Sequence, residues 1–258
     1  MKNQYVGDIN DYRKYGILRA FTRDAGLSTT ICWMLTSDDG SSDGSRRTYL
    51  NDPSWRKHDP ELFTFLGDVV RRGVFDVHAV QDGAVLGTAS FFGDLLPEEP
   101  MARTDYFREL AKLAQRRRLI YLDTDNGMGV LSVPLGSRGS AKYLYMNEVQ
   151  FLWNEGFSLL LYQHFPRSPR GPYLGALTQR LAEAIYDTHK LPMVRSFVTP
   201  NQALLLLAQP RDAQEAAVAT SAVRRRWHGA IAVHSHVAPF YLPQPDGVAA
   251  LPIEEARA

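Results

Sequence analysis

Two acidic side chains and an amide follow one apolar segment in the middle of the sequence. The segment LIYL ends at Leu122, and Asp123, Asp125 and Asn126 come directly after it. Carboxylates two residues apart can hold a divalent cation, or one of them can accept hydrogen bonds from an amino group. The same residue types also form ordinary Asx-turns, in which Asn126 and Gly127 only close a loop. We predict that Asp123, Asp125 and Asn126 are catalytic.

Further candidates follow two other apolar segments. The segment TTICWML leads into a loop rich in Asp, Gly and Ser, which contains Thr36, Asp38, Asp39 and Gly40. The segment FSLLLYQHF has His164 near its end, and Arg167 follows. Such loops are also common as solvated turns. We predict a cofactor site in the first loop, a catalytic role for His164, and substrate binding by Arg167.

The segment GDINDYRKYGILRAF, near the start of the sequence, combines charges with tyrosines. Its apolar residues recur at helical spacing up to Gly26, which predicts an amphipathic helix. Two interpretations stay open. The helix either arches over a site, with Asp8, Asp11 and Lys14 facing it, or covers the edge of a sheet with its charges in water. In the first case Lys14 is catalytic, and Asp8, Asp11 and Tyr15 bind substrate.

Alternating helical and apolar segments predict an α/β fold. Continuous apolar runs are typical of parallel strands that helices cover on both faces. The last two runs, MVRSFV and ALLLLAQ, are joined by a link too short for a parallel crossover, which indicates an antiparallel edge pair. We predict a Rossmann-like, mostly parallel sheet with helices on both faces and an antiparallel C-terminal strand pair. In such sheets ligands bind beyond the carboxyl ends of the strands, where the candidate residues lie.

The domain boundaries and three local features are also predicted. One α/β domain spans residues 1–236, and a C-terminal tail spans 237–258, with His234 and His236 on the surface near it. Residues 75–96 are predicted to be extended, with the Asp82–Gly83 step as a hairpin turn. The helix after them is predicted to be capped by Thr104 and Asp105.

The composition excludes several classes of protein. The 29 basic and 28 acidic residues give a net charge of +1, so a nucleic-acid partner would need a local basic patch. The single cysteine, Cys32, excludes an internal disulfide and a cysteine-rich zinc site. No apolar run approaches the roughly 18 residues of a membrane span, and the first residues lack a signal-peptide pattern. We predict a cytoplasmic protein without a membrane partner.

Taken in order, these elements resemble the class I S-adenosylmethionine-dependent methyltransferases, which have a seven-stranded sheet with an antiparallel last pair. The closer resemblance is to bacterial 23S rRNA adenine-N6 methyltransferases. Their segment Gly-Asn-x-x-Asp-x-x-Lys-His corresponds here to Gly7, Asp8, Asp11, Lys14 and Tyr15. Asp8 replaces the family's Asn, and Tyr15 replaces its His. The starting pattern NQY-GD-DY-KY and the turn D-DNG are also similar to uncharacterised bacterial and phage-associated proteins.

The family's Asp-Pro-Pro-Tyr turn, which holds the exocyclic amine of adenine, corresponds to residues 123–126. The turn lacks both prolines and the tyrosine, and the first loop is acidic where the family is rich in glycine. The resemblance implies methyl transfer from S-adenosylmethionine to a nucleic acid or nucleotide. Asp123 and Asn126 would position the acceptor, Asp38 and Asp39 would lie near the cofactor, and Lys142 would contact the substrate.

Two alternatives stay open. The first is a Mg²⁺-dependent nuclease or phosphoesterase, in which Asp123, Asp125 and Glu148 hold the metal and Lys142 lies beside them. In that case Lys142 and Glu148 must lie close to the strand ends, although a surface lysine and an exposed helix-start glutamate explain them equally well. The second alternative is a Rossmann-like binding module without catalytic activity.

Overall fold

The computed structural model describes residues 1–37, 44–185 and 193–237. Its strands are β1 (Thr29–Cys32), β2 (Ser90–Phe92), β3 (Leu119–Leu122), β4 (Gly127–Met128), β5 (Tyr143–Leu144), β6 (Ser158–His164), β7 (Met193–Val198), β8 (Gln202–Leu207) and β9 (Ala232–Val237). Seven of them form one sheet in the order β2-β1-β3-β6-β8-β7-β9, and β4 pairs with β5 separately. Asp38, Asp39 and Gly40 lie outside the described residues.

The α-helices of the described residues are α1 (Ile9–Arg19), α2 (Pro60–Arg72), α3 (Val77–Asp82), α4 (Pro100–Leu113), α5 (Met146–Asn154), α6 (Arg170–Ala184) and α7 (Ala213–Arg226). A π-helical turn over Ala20–Asp24 continues α1, and Gly26, with a φ of +64°, follows it in the left-handed region that favours glycine. No helix among the described residues combines the length and apolarity that a membrane span requires.

The strands at the centre of the sheet are parallel. β1 pairs in parallel with both β2 and β3, and β3 pairs in parallel with β6. β8 is antiparallel to β6 and to β7, and β9 is antiparallel to β7. The predicted α/β fold, with a parallel sheet centre and antiparallel C-terminal strands, is therefore confirmed.

The edge of the sheet differs from the prediction. β8 lies between β6 and β7, so the antiparallel pair is internal, and β9 forms the edge. β9 pairs with β7 along its whole length, so His234 and His236 lie on a strand of the sheet, and His234 is exposed there. The one-domain prediction stays a prediction, and residues 238–258 lie outside the described part of the chain.

Helices cover both faces of the sheet, so each buried strand contributes side chains to two cores, one on each face. Tyr121 points into the core that contains α1, α2, α3 and α7. Its neighbours Ile120 and Leu122 belong to the core formed with α4, α5 and α6. Both cores follow from the period of two along a strand, which sends successive side chains to opposite faces.

Two local predictions were wrong for the same reason, which is a capping carboxylate. The Asp82–Gly83 step does not form a hairpin, because the Asp76 side chain accepts a hydrogen bond from the His78 backbone N–H and begins α3. The next helix, α4, begins at Pro100, where the Glu99 carboxylate accepts from two backbone N–H groups. Thr104 and Asp105 therefore lie inside α4 and do not cap it.

The first helix is buried on all sides. Every side chain from Asp11 to Arg19 is buried, and α1 packs against α2 and α7 as well as the sheet. A Cβ atom at Gly16 would lie 1.9 Å from Cζ2 of Trp227, so only glycine allows this approach. The interpretation of an edge helix with charges in water was therefore wrong. Asp11, Lys14 and Arg19 of α1 form ion pairs inside the protein, and the Arg13 guanidinium lies over the Trp55 ring.

Candidate functional site

A cavity of about 430 Å³ lies at the carboxyl ends of β3 and β6, against the first half of α1. The described residues that line it come from five parts of the chain. They are Met1, Tyr5, Asp8, Asn10, Asp11 and Lys14 near the start of the sequence, the loop residues Gly44, Ser45 and Arg46, the turn Asp123, Thr124, Asp125 and Asn126, Tyr162 and His164 of β6, and Gln202 of β8. This is the edge of the sheet at which ligands bind in open α/β folds.

The start of α1 is fixed to the loop that precedes α2. Asp8 caps the helix, because its Oδ1 accepts a hydrogen bond of 2.8 Å from the Asn10 backbone N–H. Its Oδ2 accepts a second bond of 2.9 Å from the backbone N–H of Arg46. The capping residue therefore holds the helix and the loop together at the mouth of the cavity.

The centre of the site is a buried lysine between two carboxylates. The Nζ atom of Lys14 lies 2.8 Å from Oδ1 of Asp11 and 2.8 Å from Oδ2 of Asp123. The three side chains are at most 3% exposed. The Tyr15 hydroxyl donates to Asp11 at 3.2 Å, so Tyr15 supports this triad from behind. We call Asp11, Lys14 and Asp123 the acid–lysine triad.

The contacts within the triad and its burial shift the pKa values of Asp11 and Lys14. Burial raises the pKa of Asp11 to about 7, an effect that Lys14 opposes and the charge of Asp123 strengthens. Burial alone would lower the pKa of Lys14, but Asp11 and Asp123 outweigh it and raise that pKa above its ordinary value. Burial also raises the pKa of Tyr162, which stays neutral. With a pKa of about 7, Asp11 changes its charge near neutral pH.

A second charged contact lies beside the triad. The Met1 ammonium group lies 2.7 Å from Oδ1 of Asp125 and donates to the carbonyl oxygens of Asp123 at 3.0 Å and Met34 at 3.2 Å. The Thr36 hydroxyl donates to Oδ2 of Asp125 at 2.7 Å. Burial would raise the pKa of Asp125, but the ammonium group and the Thr36 hydroxyl hold it below its ordinary value.

The structure brings most of the predicted site residues together. Asp8, Asp11, Lys14, Asp123, Asp125, Asn126 and His164 line the cavity. Tyr15 and Thr36 do not line it, but each donates a hydrogen bond to a carboxylate that does. The backbone carbonyl of Lys142 accepts from the Asn126 N–H at 2.9 Å, and the Lys142 side chain is not part of the lining. Arg167 is exposed and lies outside the lining.

The three acids of the metal hypothesis do not meet. Glu148 is buried on α5, where Arg103 pairs with its carboxylate and the Tyr145 N–H donates to it at 2.8 Å. In the acid–lysine triad, the Lys14 ammonium group holds the place that a cation would take between the carboxylates. Among the described residues, no three His, Cys, Asp or Glu side chains form a group that could hold a metal ion.

Sequence reasoning missed several lining residues, among them Asn10, Arg46, Tyr162 and Gln202. For Gln202 a signal existed. Because β8 is antiparallel to β6, its first residue lies opposite the last residue of β6, and the register pairs Gln202 with His164. An antiparallel partner of a site strand therefore brings its amino end, and not its carboxyl end, to the ligand edge.

Comparisons with known proteins identify no family for this chain. No family model matches the chain. No curated protein matches it either. Among solved structures, the chain is similar to protein LPL1258 from Legionella pneumophila str. Philadelphia 1, assigned to DUF519, with a TM-score of 0.43 and 10% identity over 90% of this chain and 98% of that chain. We base no assignment on a similarity at this level.

Proposed function

We propose that the chain is a methyltransferase-like enzyme that acts on a nucleic acid or a nucleotide. One observation carries the proposal. The hydrogen bond of 2.8 Å between Lys14 and Asp123 joins residues 109 positions apart in the sequence, and each belongs to one of the two motifs on which the methyltransferase resemblance depends. Both residues also line one cavity at the ligand edge of the sheet.

The hydrogen-bond acceptors beside the triad are occupied by Met1. Two backbone carbonyls and the Asp125 carboxylate surround the Met1 ammonium group, and the Met1 sulfur lies 3.6 Å from Nζ of Lys14. S-adenosylmethionine has an ammonium group of the kind these acceptors hold, but its positively charged sulfur would be repelled by the Lys14 ammonium group, so the residues around Met1 do not fit it. When bound, it supplies a methyl group on a positively charged sulfur.

The chain's own residues have defined tasks in this proposal. Asp123 accepts a hydrogen bond from the amino group that receives the methyl group, and Lys14 holds the Asp123 carboxylate in position through Oδ2. Asn126 and His164 bind the substrate from the same edge of the sheet. Methyl transfer needs alignment above all, so a carboxylate fixed by a buried lysine on a core helix is a suitable group for positioning the acceptor.

The test measures transfer of a labelled methyl group from S-adenosylmethionine to bulk RNA and to DNA, with calorimetry of S-adenosylmethionine binding beside it. Asp123→Asn should lower the transfer rate at least ~100-fold, because the amide cannot accept in the same way and no longer pairs with Lys14. Asp105→Asn is the matched control, since Asp105 is exposed on α4.

Three outcomes decide the proposal. Transfer that Asp123→Asn abolishes and Asp105→Asn preserves supports it. Binding of S-adenosylmethionine without transfer favours the binding-module alternative. Absence of S-adenosylmethionine binding refutes the proposal.

A further inference from the structure

The hydrogen-bond donors of the cavity are largely used within the protein. Lys14 has three N–H donors, and its Nζ atom contacts Asp11, Asp123 and the Met1 sulfur. The three donors of the Met1 ammonium group face Asp125 and two backbone carbonyls. Arg46 lies 3.7 Å from Asp8 and is 55% exposed, at the mouth of the cavity. A ligand inside the cavity therefore finds no unused donor on Lys14 or on the Met1 ammonium group.

Two hydrogen-bond acceptors of the cavity, in contrast to these donors, have no partner in the described part of the chain. Oε1 of Gln202 and Oδ1 of Asn10 are buried and have no hydrogen-bond partner within the described residues. Both residues line the cavity, and Gln202 is 1% exposed. A buried carbonyl oxygen without a donor is unfavourable, and such groups call for an explanation in a folded protein.

The orientation of the Gln202 amide follows from its contacts. Its nitrogen donates to the backbone carbonyl of Asn10 at 3.2 Å, which only the NH₂ end can do, so the oxygen end is the one left without a partner. The β6–β8 register sets Gln202 opposite His164, at the edge of the sheet where Asp123 follows β3. The amide is thus fixed by the fold, and its acceptor belongs to the wall of the candidate site.

We infer that Gln202 and Asn10 are ligand-binding residues whose carbonyl oxygens accept hydrogen bonds from N–H groups of the bound molecule. On the proposed function, on which this choice of ligand rests, the molecule is a nucleobase that presents an amino group. Asp123 then contacts the acceptor amine, and Gln202 and Asn10 select bases by a donor at the edge. A base with a carbonyl at that position places an acceptor against these acceptors and is rejected.

Binding of free nucleosides tests this inference without any methyl transfer. The probes are two matched pairs, adenosine with inosine and cytidine with uridine, in which an amino group is replaced by a carbonyl. Saturation-transfer NMR and calorimetry of the full chain give the dissociation constants. We expect at least one amino nucleoside to bind at least ~10-fold more tightly than its carbonyl partner, because the acceptors stay unpaired in the second complex.

The variant Gln202→Met removes the amide at similar length, and Gln179→Met makes the same change on an exposed position of α6. We expect Gln202→Met to weaken the amino nucleoside at least ~10-fold and to strengthen, or at least not weaken, its carbonyl partner, whereas Gln179→Met changes neither. Asn10→Ala removes the second acceptor independently. If Gln202→Met melts at a lower temperature, so that weaker binding could reflect unfolding, the Asn10→Ala variant still tests the inference.

Equal binding of both members of each pair would overturn the inference, and so would an absence of binding by all four nucleosides. Unchanged discrimination in both Gln202→Met and Asn10→Ala would overturn it as well. These results are distinct from a failure of the proposed function. If the protein discriminates among nucleosides but transfers no methyl group, the binding role of Gln202 and Asn10 stands and the proposed enzyme function fails. If it transfers a methyl group but the Gln202 and Asn10 variants behave like wild type, the enzyme function stands and the binding role fails.

Discussion

Replacing Lys14 with Met should destabilise the protein strongly, since it removes the only cation of the acid–lysine triad. Lys14 is 2.8 Å from both Asp11 and Asp123, and the three side chains are at most 3% exposed. Breaking a buried ion pair from one side costs about 3–5 kcal/mol, because the remaining charge is buried without a partner. We expect a loss of that size in the free energy of unfolding at neutral pH.

The loss should depend on pH in a defined direction. Burial already raises the pKa of Asp11 to about 7, and Lys14 acts to lower it, so the variant's Asp11 titrates above 7. An acid whose folded pKa exceeds its unfolded pKa makes the protein less stable as the pH rises between the two values. In wild type this decline ends near pH 7, but in Lys14→Met it continues, by about 1.4 kcal/mol per pH unit. The deficit of the variant should therefore be larger at about pH 8.5 than at pH 7, by up to about 2 kcal/mol.

Urea unfolding followed by tryptophan fluorescence measures both quantities, since the chain has four tryptophans. Lys112→Met is the matched control, because Lys112 is 70% exposed on α4 and lies 3.7 Å from Glu109. The control should stay within about 0.5 kcal/mol of wild type. A deficit for Lys14→Met below about 1 kcal/mol, or an equal deficit at both pH values, would refute the electrostatic account of the triad.

Two further variants test the first helix. Asp11→Asn removes the group with a pKa of about 7, so its free energy of unfolding should vary less than that of wild type between about pH 4 and 7, by up to about 1.4 kcal/mol per pH unit. Identical pH profiles in urea unfolding would contradict this. Gly16→Ala places a Cβ 1.9 Å from a Trp227 ring atom and should cost about 1–3 kcal/mol. Gly175→Ala on α6 meets nothing within 4 Å and should raise the thermal midpoint. A Gly16→Ala protein as stable as wild type would show that α1 is loosely packed.

The sequence was sufficient where local pattern decides structure. β1, β3 and most of β6 are buried because helices cover both faces of the sheet, and the apolar residues that this burial requires located the three strands in the sequence. The wrong prediction of extended structure where α3 lies also has a local cause. Val77 and Val80 are buried three residues apart, as on a helix, but the neighbouring apolar residues also suit a strand, and the Asp76 cap decides between the two.

The burial of α1 could not be predicted from its own residues. Two of its charged side chains are buried because their partners come from distant parts of the chain: Asp123 pairs with Lys14, and Asp59 pairs with Arg19 at 2.7 Å. A helix with alternating charges normally indicates a solvated face. Only the tertiary contacts, at 109 and 40 residues' separation, reverse that expectation.

The strand-end rule located some of the cavity residues in the sequence, and its scope also explains why the others were missed. The rule that ligands bind at the carboxyl ends of parallel strands correctly led to the cavity residues Asp123, Asn126 and His164. It gave no information about α5, whose Glu148 turns toward Arg103, or about β8, which runs in the opposite direction. Side-chain direction on a helix and strand order in the sheet are both set by packing.

The charge balance of the cavity connects its stability with the ligand it suits. Two buried cations, Lys14 and the Met1 ammonium group, face three carboxylates, those of Asp11, Asp123 and Asp125. Burial, together with the charge of Asp123, raises the pKa of Asp11 to about 7, and the group has one carboxylate more than it has cations. Inside the cavity, a group that brings several N–H donors is therefore more favourable beside an ionised Asp11 than an anionic group is. The unpaired acceptors of Gln202 and Asn10 favour the same class of ligand, so charge and hydrogen bonding select it together.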